Sequence, residues 1–124
     1  MKVKGLITVF GVLNVLQGFF LFFNAENLVI DSFPGVSEEA IQTGVLIHYP
    51  FGAMTSVVGI ILLFIRHSPL EVLKNALKGY GFGVALVMVS VVLFSMDGGI
   101  APMPLIAANL ILMGLSFYGA FRGK

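Results

Sequence analysis

Hydrophobic positions fall in four long runs separated by short polar stretches. Gly5 to Phe23, Gly44 to Ile65, Gly79 to Met96 and Pro102 to Phe121 contain no Asp, Glu, Lys or Arg. Each approaches the roughly 20 residues a helix needs to cross about 30 Å of hydrocarbon. The pattern predicts an all-α chain in which residues 1–124 form a single transmembrane domain, an integral membrane four-helix bundle. Between the runs lie a polar first loop, Asn24 to Thr43, a basic second connection, Arg66 to Lys78, and the turn Asp97-Gly98-Gly99. Pro102 and Pro104 open the last run, where a missing backbone N–H costs nothing.

The first loop carries its own signals. Phe33-Pro34-Gly35 reads as a turn. Ser37 is a fitting N-cap, and Glu38 and Glu39 behind it suit the positive end of a helix dipole. Pro50 removes a backbone donor and its ring meets the carbonyl of Leu46. The expectation is a short interfacial helix from about Glu38 to His48 on the outer side, then a kinked second helix entering the membrane.

At about 100° of rotation per residue, small and polar residues gather on one side of every run. In the first, Thr8, Gly11, Asn14, Gln17 and Gly18 oppose Val9, Val12, Leu13, Leu16, Phe19, Phe20 and Phe23. The second has Gly44, His48, Gly52, Thr55, Ser56 and Gly59 on one side. The third aligns Gly79, Gly83, Ser90 and Asp97, and the fourth aligns Ala108, Asn109, Leu112, Ser116, Gly119 and Ala120. Such stripes let helix backbones approach closely, with amides and hydroxyls bonding across the contact. Gly11, Asn14, Gln17, Gly18, Gly52, Gly59, Gly83 and Ser116 are therefore expected to be packing positions. Gln17 and Asn109 fall at similar depth and read as partners.

Composition sharpens the class. With 58% hydrophobic and 10% charged residues, the chain departs from soluble globular usage of about 45–50% and about 25%. The absence of cysteine removes disulfides and thiol redox chemistry. Charge then sets the orientation. Lys2, Lys4, Arg66, Lys74, Lys78, Arg122 and Lys124 all fall on one side if the helices alternate, whereas Glu26, Asp31, Glu38, Glu39 and Asp97 fall on the other. The positive-inside rule places both termini in the cytoplasm and the chain in the cytoplasmic (inner) membrane. The length of the first run, and bulky Phe23 before a potential cut after Ala25, favour a retained anchor over a cleaved signal peptide.

Candidate chemistry is sparse. Proton-coupled pumps and multidrug exporters need a buried ionisable group, and the central spans have none. His48 and Asp97 are the titratable residues that fall on inward stripes, at the same outer depth. Joined by Glu38 or Glu39 they have the residue types for a metal site or a proton-transfer pair, although interfacial His and Asp residues more often form a capped, water-exposed hydrogen bond. Thr55, Ser56, Ser90 and Asn109 extend this candidate polar site inward. His67 is a solvated end residue about 28 Å along the helix from His48, too far for both to hold one haem. No cofactor is expected. Gly79-Tyr80-Gly81-Phe82-Gly83 lacks the ending of a phosphate loop and reads as a packing surface. The basic residues are dispersed along the membrane edge, which gives nucleic-acid binding no support.

One resemblance covers nearly the whole chain. A short first span and acidic outer loop precede His48-Tyr49-Pro50-Phe51-Gly52-Ala53, which leads to Gly59-Ile60-Ile61-Leu62-Leu63. Asp97-Gly98-Gly99 then comes before a proline-started fourth span. This order resembles the small four-helix DoxX-like membrane proteins of bacteria. The resemblance implies the fold; it carries over no activity, cofactor or catalytic residue.

The expected role is that of a non-catalytic accessory or scaffolding subunit, in contact with the lipid bilayer and with copies of itself or a larger membrane complex. The alternative is a binder of a small apolar or amphipathic ligand, or an enzyme acting on one, in an outward-facing cavity lined by the His48 and Asp97 set. A channel or transporter ranks last.

Overall fold

The computed structural model describes residues 2–101 and 103–124, so the expectation placed on Pro102 lies outside the described residues. The described residues form five helices and no strand: α1 Val3–Phe23, α2 Ala25–Ser32, α3 Glu38–Ile65, α4 Leu70–Met96 and α5 Met103–Arg122. Helices α1, α3, α4 and α5 are long and apolar enough to cross a membrane.

The structure fills two segments that hydropathy alone leaves as connections. In the first loop, Ala25 and Val29 stand one turn apart and are buried, which folds α2 back along α3. Asn24 ends α1, its backbone N–H and its side-chain Nδ2 both donating to Phe20 O at 3.0 and 3.1 Å. Gly35, at φ +84°, makes the reversal after Pro34. Ser37 then caps α3, its Oγ accepting from Ala40 N at 3.3 Å. From Glu38, α3 runs as one helix of 28 residues through Pro50. At about 1.5 Å per residue that is about 42 Å, more than the hydrocarbon core requires.

In the second connection the helix starts at Leu70, nine residues before the apolar run that marks the third span. Pro69 supplies the extended entry, and Leu73 and Leu77 turn a buried face inward. Lys74 and Lys78 therefore sit on helix. Lys78 leans its ammonium over the Phe121 ring, 5.7 Å from the centroid.

Helix α1 is the hub. It packs most extensively on α3, while α4 packs on α5, and this pair meets α1 through fewer residues. The core that joins all of them lies at the end carrying the basic residues. Val3, Leu6, Ile7 and Phe10 of α1, Leu62 of α3, Leu73 and Leu77 of α4 and Ala120 of α5 are all buried there. Val3 N also donates to Lys124 O at 3.0 Å. At the opposite end α2 spans the gap: Val29 lies against Gly44 of α3, Ser32 O accepts from Ile100 N at 3.2 Å, and Phe33 meets Phe94 edge-on at 5.1 Å.

Candidate functional site

The α1–α3 contact is built on glycine. Gly11 faces Gly59 and Gly18 faces Gly52, two pairs seven residues apart on antiparallel helices. A Cβ on Gly52 would stand 2.7 Å from Gly18 O, and one on Gly59 would stand 2.7 Å from Val15 N. Both obstacles are backbone, so neither can move aside cheaply. Ser56 fits between the pairs, its side chain occupying the space that a methyl on Gly18 would need. Backbones this close gain dispersion and Cα–H···O contacts, which replace the hydrophobic drive that is missing between helices in lipid.

Among the described residues, one part-buried polar side-chain contact links helices in the interior. Asn14 Nδ2 donates to Phe10 O in its own helix at 2.8 Å and to the Tyr80 hydroxyl of α4 at 2.7 Å. The Tyr80 ring stacks on Phe10 with centroids 5.0 Å apart. Asn14 is buried, so both amide hydrogens are satisfied where water does not reach. The sequence pointed to Asn14 and missed Tyr80. A half-polar ring at the depth of an inward amide was the available signal.

The expected amide pair does not form. Asn109 is buried and donates to Leu105 O at 2.9 Å, and no hydrogen bond joins it to Gln17. The same self-sufficiency governs other polar side chains along the helices. Nδ1 of His48 donates to Gly44 O at 2.8 Å, and the hydroxyls of Thr55, Ser90 and Ser116 donate to Phe51, Leu86 and Leu112 O at 2.8, 3.1 and 2.8 Å. Each bonds the carbonyl four residues earlier, a local alternative to bonding across helices. Asp97 is the C-cap residue of α4. No hydrogen bond connects it to His48; α2 packs on α3, and the residue after it, Phe33, reaches the end of α4 at Phe94. Among the described residues no three His, Asp or Glu side chains are grouped so as to hold a metal ion.

Two further features were not legible as drawn from the sequence. The α4 stripe of Gly79, Gly83, Ser90 and Asp97 faces outward. The buried face of α4 is instead Leu73, Leu77, Gly81 and Val84, with Gly81 seated against the Phe117 ring. A Cβ at Gly79 or Gly83 would meet nothing within 4 Å, so Gly83 is not a packing position within this chain. The reason is the early start of α4: Leu73 and Leu77 fix its rotation, and the rest of the helix follows. Secondly, α1 and α5 part toward the outer half and leave a groove of about 560 Å³. Leu13, Leu16, Phe20, Ala108, Ile111 and Leu112 line it, with Gln17 as its one amide.

Comparison of the chain with protein-family models, curated proteins and solved structures finds no match.

Proposed function

We propose that this protein is a multi-pass membrane protein that acts as an accessory or scaffolding subunit, docking against a second membrane-embedded chain through the outward face of α4. The observation that carries this is the contrast among its glycines. Gly11 and Gly18 of α1 lie backbone to backbone with Gly59 and Gly52 of α3, whereas Gly79 and Gly83 of α4 open onto empty space one turn apart. Glycine inside a helix costs about 1 kcal/mol relative to alanine, and small residues spaced four apart are what a partner helix packs on in lipid. Four apolar spans support the membrane setting. The partner is a second copy of the chain or a larger complex.

In the same reading the protein is a DoxX-like bundle of the inner membrane, both termini are cytoplasmic, and Pro50 kinks α3. The gathering of all seven Lys and Arg at one end supports that orientation. A reporter fused after Lys124 should behave as cytoplasmic, and Ser37→Cys should label from outside; protection of that cysteine from outside reagent contradicts the orientation. Extracted with its native lipid, the protein should exceed the 13.3 kDa of one chain. Gly83→Leu should return it to single-chain mass with its melting temperature unchanged. Single-chain mass for the unaltered protein contradicts the docking role.

A second reading draws on the α1–α5 groove. Its volume lies within the roughly 300–1,000 Å³ of small-ligand sites, and Gln17 offers an amide in an otherwise apolar wall. An amphipathic molecule with one hydrogen-bonding group suits it. Ala108→Phe would fill the groove and should abolish binding of such a ligand while leaving docking through α4 intact.

A further inference from the structure

Only two side-chain hydrogen bonds join different long helices or their ends among the described residues. The first is Asn14 with Tyr80; the second is Lys4 with His67. Lys4 Nζ lies 3.2 Å from His67 Nδ1, and Arg66 Nε donates to His67 Nε2 at 3.1 Å. Lysine and arginine cations have donors alone, and a neutral imidazole has one donor and one acceptor nitrogen. With both cations charged, no tautomer of His67 accepts from both. The cluster holds more donors than acceptors, and neither cation has a carboxylate as hydrogen-bond partner. Glu71 is the one acidic residue on this side, against seven Lys and Arg.

We propose that the Lys4–His67–Arg66 junction, where the first turn of α1 meets the end of α3, seats the phosphate of an anionic phospholipid. Phosphate oxygens accept from Lys4 and Arg66 together and release His67 from acting as acceptor to both. Location favours a lipid over a soluble anion. Lys4 opens one candidate span and Arg66 closes another, so the junction stands at headgroup height. A zwitterionic lipid brings its own cation and relieves less of the surplus charge.

The test uses the full-length chain in zwitterionic detergent, titrated with short-chain phosphatidylglycerol, short-chain phosphatidylcholine or inorganic phosphate, with binding read by native mass spectrometry and by the melting temperature. Phosphatidylglycerol should bind and raise the melting temperature, and the other two should not. Lys4→Gln and Arg66→Gln should each weaken binding about ten-fold or more, as loss of a charge-assisted hydrogen bond does. Arg66→Lys should restore part of it. Lys74→Gln removes the same charge from the same end outside the junction, and should cost no more than the about five-fold of a general surface charge. Equal losses for Lys4→Gln and Lys74→Gln would overturn the site in favour of diffuse attraction. Binding of inorganic phosphate with the same dependence on Lys4 and Arg66 would overturn the lipid assignment. Lys4 is exposed and Arg66 and Lys74 are partly exposed, and retained helicity by circular dichroism separates loss of binding from loss of fold.

Discussion

The two halves of this bundle are packed by different means. At the end that carries the basic residues, Val3, Ile7, Phe10 and Leu77 are fully enclosed, and all four long helices contribute to one core. Toward the other end α1 keeps α3 through Gly18 and Gly52, but α5 draws away from α1 and the groove at Gln17 opens. Phe20, on the same helix as Phe10, is 55% exposed. Tight packing inside the chain thus stops at about mid-membrane on the α4–α5 side. The surfaces left over, the groove and the outward glycines of α4, are those available to lipid, ligand or another chain.

Substitutions in paired positions test this contrast. Phe10→Ala should cost about 3–5 kcal/mol of stability, whereas Phe20→Ala should cost less than about 1 kcal/mol, measured by denaturation in the same micelle. Similar losses at both positions would erase the distinction between the halves. Gly59→Leu should cost about 3 kcal/mol, because backbone on α1 blocks the new side chain, and Gly83→Leu should stay within about 0.5 kcal/mol. Reversal of that order would mean that α4 is rotated by about half a turn from its described position.

The extent to which the sequence announced this arrangement differs helix by helix. The wheel of α1 separates cleanly into Gly11, Asn14 and Gly18 inside and Leu13, Leu16 and Phe20 outside, because its whole length contacts other helices on one side. Helix α4 misled the same reasoning. Its rotation is set by Leu73 and Leu77, in a stretch that looks like a basic connection until Pro69 is recognised as a helix entry. Small residues then marked a face of α4 that packs on nothing within the chain. The polar site was the least legible part. Hydropathy places His48 and Asp97 at one depth but carries no information on azimuth, and it cannot show that His48, Thr55, Ser90 and Asn109 each bond the carbonyl one turn back.

Smaller effects refine the interior. Asn14→Leu and Tyr80→Phe should each cost about 0.6–2 kcal/mol, and the double variant should cost little more than either single one, since they share one hydrogen bond. Strict additivity in a double-mutant cycle would show that the contact carries no stability. Leu16→Ile, on the outward side of α1, should change the melting temperature least of all.

The docking role is tested most directly by a photo-reactive side chain at Leu86, one turn beyond Gly83 on the same outward face and 70% exposed, activated in native membranes. A covalent product with a second protein chain should form and be lost when Gly83→Leu is added, while the same group placed at Leu16 yields lipid adducts. Lipid adducts alone from Leu86, with or without Gly83→Leu, would contradict the docking role.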